Sequence, residues 1–301
     1  MTTKSTLHTG YDIGGTKTEI VLLSQDEKIL FQLREPTERD RGYDHILSVL
    51  KKLFDACIDD QKITPKDITS IGLALPGTVC PVSQKMLVGN TRVLEGKDIK
   101  SDFLKILNID IPIRAENDAN CFALAECHYG VGRSIKSQNM VGIILGTGVG
   151  SGIILNGKIY SGKRGAAGEA GHTFLKKGEK LCYCGQFDCA ELYLSGPGYQ
   201  NFYFEKTGEE ASTSIIFKKK DFLEIYKQDL ALFLARLTNI LDPDYFVLGG
   251  GVSKADELYS DLENLMKPHL FHKEDPPRIL KHRLSDSAGS IGAALLSEFS
   301  T

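Results

Sequence analysis

The feature that most constrains the fold is a pattern that occurs twice along the chain. Each copy has an apolar strand, a tight turn rich in glycine and threonine, a second apolar strand, a hairpin turn and a third strand. The tight turns lie at residues 14–17 and 146–150, and the second copy contains Asn156-Gly157, a strong two-residue hairpin signal. Apolar stripes with helical spacing follow at 43–58 and 222–241. The duplication therefore predicts two related α/β lobes, with one glycine turn on each wall of a cleft.

Size and charge exclude several classes of protein. A chain of 301 residues is long enough for two lobes, and its net charge of −3 gives no basic footprint for nucleic acid. The chain contains no long apolar run that would predict a membrane span, and residues 1–9 lack the apolar core of a signal peptide. We therefore expect a cytoplasmic protein without a nucleic-acid or membrane partner.

The glycine turns suit phosphate groups. Their backbone N–H groups can approach phosphate oxygens closely, and a threonine hydroxyl donates one more hydrogen bond. Asp12, just before the first turn, is a candidate for holding Mg2+ through water. A third glycine cluster at 249–251 either lies against a purine or forms an ordinary strand-to-helix turn, and the sequence leaves both open. The candidate phosphate- and nucleotide-binding residues are Asp12, Gly14, Gly15, Thr16, Lys17, Gly146, Thr147, Gly148, Gly249, Gly250 and Gly251.

Acidic and amide side chains crowd together at residues 116–120, where a short strand leads into a helix. Asn117 or Asp118 would cap that helix, a role worth about 1 kcal/mol. Capping requires one such residue, whereas four stand here within five positions. The helix dipole keeps a carboxylate at this place ionised, so Asp118 is a candidate to accept the proton of a hydroxyl that attacks phosphorus.

Metal-ligand residues cluster between positions 172 and 189. Three thiols in a C-x-C-x4-C pattern, together with His172, make a Cys3His set typical of tetrahedral zinc; the thiols are Cys182, Cys184 and Cys189. Reduced thiols without a ligand role are the alternative, and an iron–sulfur cluster would need a fourth nearby cysteine.

Two carboxylates, Glu169 and Glu191, flank this set and exceed what a structural metal needs. Together with Asn117 and Asp118 they are the residue types that grip the hydroxyl groups of a sugar ring. His172 can serve both purposes, because metal on one ring nitrogen leaves the other as an N–H that donates to a substrate.

Five motifs together resemble one family. They stand in the order of the ROK family of repressors, open reading frames and sugar kinases, and with the glycines near the C-terminus the resemblance spans essentially the whole chain. The motifs are Asp12-Ile13-Gly14-Gly15-Thr16-Lys17, Glu116-Asn117-Asp118-Ala119-Asn120, Gly146-Thr147-Gly148-Val149-Gly150, Glu169-Ala170-Gly171-His172 and Cys182-x-Cys184-Gly185-x3-Cys189-x-Glu191. The chain departs from the family at Asp188, where glycine is usual, and we expect this residue to strain its turn while leaving the zinc ligands intact.

The resemblance implies a two-lobed α/β fold of the actin/hexokinase-like (ribonuclease H-like) ATPase type, with duplicated glycine-turn hairpin sheets. The small lobe would comprise residues 1–115 and 288–301. The large lobe, with the zinc motif, would comprise residues 116–287. The family also suggests a homodimer.

The resemblance further implies ATP-dependent phosphorylation of a sugar, with Mg2+ and structural Zn2+ as cofactors. Residues 117–126 and 191–198 look most like members that phosphorylate N-acetylglucosamine at the 6-hydroxyl, and glucose or N-acetylmannosamine are the alternatives. A sugar-sensing repressor is disfavoured, because only eleven residues precede Asp12. By this match Asp118 is the general base, the sugar contacts are Gly77, Asn117, Asp118, Glu169, His172 and Glu191, and the zinc ligands are His172, Cys182, Cys184 and Cys189.

Overall fold

The computed structural model describes residues 6–26, 28–89, 91–284 and 286–299. The strands are β1 (Leu7–Ile13), β2 (Lys17–Ser24), β3 (Ile29–Pro36), β4 (Ile68–Leu75), β5 (Gly77–Val79), β6 (Met86–Gly89), β7 (Ile113–Asn117), β8 (Met140–Leu145), β9 (Val149–Leu155), β10 (Lys158–Ile159), β11 (Tyr245–Gly249) and β12 (Arg278–Lys281). The helices are α1 (Tyr43–Gln61), α2 (Ile99–Leu107), α3 (Asp118–His128), α4 (Glu191–Leu194), α5 (Gly196–Thr207), α6 (Thr213–Ile216), α7 (Lys220–Leu241), α8 (Leu262–Met266) and α9 (Ala288–Phe299). Within these ranges, no helix is long and apolar enough to cross a membrane.

Two five-stranded sheets share one topology. The first has the order β3-β2-β1-β4-β7 and the second the order β10-β9-β8-β11-β12. In each, three antiparallel strands form the duplicated hairpin unit, and two parallel strands extend it at the edge of its first strand. The predicted duplication of the glycine-turn hairpin sheets is therefore confirmed.

Both faces of each sheet are covered at its three inner strands, which explains why those strands are buried along most of their length. In β2, Ile20 and Leu22 pack in the core with α1, whereas Val21 and Leu23 belong to a second core with α3 and α9. This alternation is the two-residue period of a strand. In the second sheet, α7 packs on the outer face. Helices α3 and α9 thus form the layer between the two sheets.

Glycines let these two helices approach the sheets and each other at backbone distance. A Cβ atom on Gly72 of β4 would lie 1.7 Å from the Ala293 carbonyl oxygen of α9. A Cβ on Gly152 of β9 would lie 2.4 Å from a carbonyl oxygen of α3, and one on Gly292 would lie 1.8 Å from the Cys121 carbonyl oxygen. Since backbone atoms cannot move aside cheaply, these contacts set how closely α3 and α9 pack against the sheets and against each other.

The lobe boundaries stay a proposal. We propose that residues 1–115 and 288–301 form one lobe and residues 116–287 the other. The contacts of α9 with β1 and β4 support assigning that helix to the first lobe, and the contacts of α3 with β8 and β9 support assigning α3 to the second.

Candidate active site

A cleft of about 580 Å³ brings most of the predicted sugar and zinc-motif residues together with the second glycine turn. The predicted residues that line it are Gly77, Asn117, Asp118, Gly146, Thr147, Gly148, Glu169, His172, Cys184 and Glu191. A second cavity, of about 300 Å³, is lined by Asp12, Gly250 and Gly251. Asp118 lines both, so one carboxylate lies where the two cavities meet.

Some predicted nucleotide residues line neither cavity, namely Gly14, Gly15, Thr16, Lys17 and Gly249. Gly249 has a packing reason, because a Cβ there would lie 2.5 Å from the Phe122 ring. Lys17 pairs with Asp286 at 3.0 Å, and Asp286 lines the second cavity. The roles of these five residues stay predictions.

The strand-to-helix junction holds the candidate base. Strand β7 ends at Asn117, whose side-chain oxygen accepts hydrogen bonds from the N–H groups of Ala119 at 2.9 Å and Asn120 at 3.2 Å. Its amide nitrogen donates to the Gly77 carbonyl at 3.1 Å. Asn117 is therefore the helix cap expected from the sequence, and it also links the cap to β5, whose first residues line the cleft.

Burial has the largest effect on the ionisation of Asp118. It raises the pKa of that carboxyl from 3.8 to about 6, with the negative charge of Glu169 adding to the rise and the hydrogen bond from the Ala119 N–H opposing it. The expectation that Asp118 is ionised at neutral pH agrees with this pKa, although desolvation disfavours the charge and outweighs the hydrogen bond at the helix terminus. Asp118 is still ionised above about pH 6 and is a stronger base than a solvated aspartate.

Asp12 lies at the end of β1 and lines the cavity that adjoins Asp118. Burial raises its pKa to about 7, and the charges of Asp118 and Glu19 add to the rise. Gly289, at the start of α9, packs against this carboxylate: a Cβ atom on Gly289 would lie 2.5 Å from an Asp12 carboxylate oxygen. A desolvated carboxylate close to a second one favours a divalent cation, which fits the prediction of Mg2+ held through water.

The two predicted sugar carboxylates are held in place by groups from different elements. Glu169 accepts a hydrogen bond from the Thr78 hydroxyl at 3.0 Å. Glu191, at the start of α4, accepts one from the Val149 N–H at 2.9 Å. A Cβ on Gly148 would lie 2.5 Å from that Glu191 oxygen, so the glycine lets the carboxylate reach the second glycine turn.

The predicted zinc ligands converge. One ligand atom from each of His172, Cys182, Cys184 and Cys189 lies within 4.8 Å of the other three. The sulfur atoms of Cys184 and Cys189 are 3.6 Å apart. Because Zn–S bonds of about 2.3 Å in a tetrahedron place sulfur atoms about 3.8 Å apart, the donor set fits zinc.

His172 points one ring nitrogen at this cluster and the other at a tyrosine. Its Nδ1 lies 3.7 Å from the Cys182 sulfur, and its Nε2 lies 3.0 Å from the Tyr183 hydroxyl. The predicted donation from His172 to a substrate would therefore require the Tyr183 contact to open. Tyr183 is 78% exposed and lines the cleft, so its hydroxyl is itself placed to meet a ligand.

The conformation and hydrogen bonds of Asp188 show how the chain accommodates an aspartate where the family usually has glycine. Its φ of 60° is in the left-handed region, where glycine is the ordinary choice. Its carboxylate, on a residue only 4% exposed, accepts hydrogen bonds from the N–H groups of residues 178–180 at 2.9–3.0 Å and from the Tyr193 hydroxyl at 2.7 Å. The expected strain is offset by these bonds, and the neighbouring ligand Cys189 keeps its place in the cluster.

Sequence reasoning missed several residues that the fold brings to the cavities. Thr78 follows the predicted Gly77, and Tyr183 stands between two cysteines, so adjacency to a motif was the available signal. Lys254, at the end of a short 3-10 helix after β11, and His282, directly after β12, line the second cavity. No sequence motif contains those two residues. They reach the second cavity because β11 and β12 are neighbours in the sheet, which the sequence alone did not indicate.

The duplicated sheets, the shared carboxylate and the Cys3His cluster define a two-lobed protein of the actin-like ATPase fold. The ROK family profile matches residues 8–299, and the chain belongs to the ROK family. The predicted fold and family are both confirmed.

Relatives agree with this assignment. The N-acetyl-D-glucosamine kinase of Mannheimia succiniciproducens is 36% identical over 95% of this chain and 98% of its own. That of Haemophilus influenzae is 34% identical over 96% and 99%. The crystal structure of a ROK hexokinase from Thermus thermophilus superposes with a TM-score of 0.83 at 26% identity, covering 96% of this chain and 97% of that one.

The zinc assignment predicts that removal of one ligand lowers the zinc content of the protein. Purified wild-type protein should contain about one zinc per chain by elemental analysis, and Cys184→Ala should lose most of it because three ligands hold the ion less tightly than four. Cys80→Ala, which removes a thiol outside the cluster, is the matched control and should keep its zinc. Wild-type protein without zinc after expression in zinc-supplemented medium would contradict the assignment.

Proposed function

We propose that this protein transfers the γ-phosphoryl group of ATP to the 6-hydroxyl of N-acetylglucosamine. The observation that carries the proposal is the position of Asp118, which lines both the cleft with the sugar-type residues and the cavity with Asp12. A base at that junction can contact an acceptor hydroxyl on one side and face a phosphoryl donor on the other. The names of the relatives, N-acetyl-D-glucosamine kinases at 32–36% identity, support the choice of sugar.

The sugar would lie on the wall formed by Asn117, Glu169 and Glu191. Carboxylate oxygens accept hydrogen bonds from neighbouring ring hydroxyls, and Thr78 and the Val149 N–H keep the two carboxylates in fixed positions. The zinc cluster supports this wall, because Cys184 and His172 belong both to the cluster and to the lining of the cleft. We assign Zn2+ a structural role here.

Asp118 would take the proton of the 6-hydroxyl while its oxygen attacks phosphorus. The Ala119 N–H holds the carboxylate at 2.8 Å, which fixes its orientation at the start of α3. The glycine turn at 146–148 would place its bare backbone near the phosphates, and the first turn at 14–17 would do so from the other lobe. Mg2+, held near Asp12, would offset the charge that develops on the phosphate oxygens. A homodimer and a cytoplasmic location also stay predictions.

A substrate panel tests the proposed sugar. With Mg2+ and ATP, ADP release should give the highest kcat/KM with N-acetylglucosamine, at least about tenfold above glucose and N-acetylmannosamine. Glucose lacks the acetamide and N-acetylmannosamine carries it in the opposite orientation at C2, so each loses a polar contact worth about 1.4 kcal/mol. A higher kcat/KM for glucose or N-acetylmannosamine would identify that sugar as the substrate instead. Absence of ADP release with all three would contradict the kinase assignment for these sugars.

The raised pKa of Asp118 predicts the acid limb of the pH profile. The base must be ionised, so at saturating Mg2+ the value of kcat should fall about tenfold per pH unit below about pH 6. Glu169→Gln should move this limb to lower pH, because it removes a negative charge that raises the pKa of Asp118. A limb at pH 4, or one that Glu169→Gln leaves in place, would argue against Asp118 as the base.

A further inference from the structure

Tyr183 contacts one of the groups that the proposed function assigns to the sugar. Its side chain lines the cleft, and its hydroxyl is 3.0 Å from Nε2 of His172. The two rings meet edge to face, with centroids 5.1 Å apart and planes at 89°. The other ring nitrogen of His172, Nδ1, lies on the side of the cysteine cluster. Tyr183 therefore occupies the nitrogen of His172 that is left for a substrate.

The Nε2 atom of His172 has a single hydrogen to donate. Its Nδ1 lies 3.7 Å from the Cys182 sulfur, within the zinc cluster, and a metal ion bound there leaves the hydrogen on Nε2. That N–H then donates to the Tyr183 hydroxyl. Because one N–H makes one good hydrogen bond, a sugar hydroxyl can accept it only after Tyr183 has released it.

Glu169, the neighbouring sugar-type residue, also meets a hydroxyl group of the protein. It accepts from Thr78 at 3.0 Å. A carboxylate has two oxygens with about four acceptor positions, so Glu169 can keep Thr78 and still accept from a sugar. Of these two contacts, the one between Tyr183 and His172 is the one that a bound sugar has to replace.

The Tyr183 contact can open while the chain around it stays in place. The backbone is held by a turn in which the Gly185 N–H donates to the Cys182 carbonyl at 2.9 Å, and the Cys182 N–H donates to the Gln186 carbonyl at 2.8 Å. The two neighbours, Cys182 and Cys184, both belong to the zinc cluster. Rotation of the side chain is therefore sufficient, and exposed side chains rotate within nanoseconds. The released hydroxyl is then hydrated by solvent.

We propose that Tyr183 sets the sugar affinity by competing with the substrate: its hydroxyl accepts the His172 N–H in the empty cleft, and a sugar hydroxyl displaces it. The inference rests on the proposed function, because it requires a sugar in the cleft. On binding, one hydrogen bond is exchanged for another, so the sugar hydroxyl at His172 adds little net affinity. The contact is open in the sugar complex and in the transition state alike, so it affects KM and leaves kcat unchanged.

Tyr183→Phe tests the competition, because it keeps the ring and removes the hydroxyl. By calorimetry on zinc-loaded protein, N-acetylglucosamine should bind the variant about fivefold more tightly than wild type, the effect of one net hydrogen bond. The sugar KM should fall by the same factor with kcat unchanged, and the zinc content should stay that of wild type. The control Tyr160→Phe alters an exposed tyrosine that lines a separate cavity and should bind within about twofold of wild type.

Deoxy sugars test the displacement itself. N-acetylglucosamine analogues that lack the 1-, 3- or 4-hydroxyl are titrated into wild-type protein and into Tyr183→Phe. The analogue without the hydroxyl that reaches His172 should bind the variant no more tightly than wild type, because that sugar never displaces Tyr183. The other analogues should keep the gain of about fivefold. The analogue that loses the gain identifies the hydroxyl that contacts His172.

The outcomes separate this inference from the proposed function. Equal or weaker binding of N-acetylglucosamine by Tyr183→Phe, with normal binding by wild type, would overturn the inference alone. A gain that persists with every deoxy analogue would also overturn it, since the variant would then have altered the cleft in general. Absence of N-acetylglucosamine binding by wild-type protein would contradict the proposed function and this inference with it.

Discussion

The backbone contact of α3 and α9 with the sheets and with each other is the constraint on which the rest of the structure depends. Glycines in β4, β9 and α9 remove the Cβ atoms that would separate these elements. The contact holds α3, whose first residue is Asp118, and α9, whose first turn brings Gly289 next to the Asp12 carboxylate. Asp118 thereby lines both cavities, and Asp12 lines the smaller one beside it.

The position of Asp118 is costly for the fold. Its pKa in the folded protein is about 6, compared with 3.8 for a solvated aspartate, so the folded state disfavours the ionised form. The resulting penalty grows as the pH rises from about 4 to about 6 and is fully present above that range. The same burial makes Asp118 a stronger base near neutral pH. Burial of Asp118 thus lowers the stability of the fold and, at the same time, provides a better proton acceptor at the junction of the cavities.

Much of the fold and site could be predicted, because the signals are local. Paired glycine turns and Asn156-Gly157 indicated the duplicated sheets, and residue type with spacing indicated the cysteine cluster that converges in the structure. Properties that depend on contacts between residues far apart in the sequence, or on side-chain orientation, could not be predicted from local patterns. The rise in the pKa of Asp118 depends on burial, Gly249 is required by the Phe122 ring, and the Tyr183 contact with His172 depends on a side-chain orientation.

The central claim is that Asp118 removes the proton of the acceptor hydroxyl, and Asp118→Asn tests it most directly. Calorimetry and single-turnover kinetics on one preparation should show N-acetylglucosamine bound within about threefold of wild type and phosphoryl transfer slowed about 10²–10⁴-fold. Thermal unfolding at pH 7.5 should be unchanged or shifted upward, since a disfavoured charge is removed. The exposed control Asp110→Asn should match wild type in all three. Phosphoryl transfer by Asp118→Asn at near the wild-type rate would contradict the account.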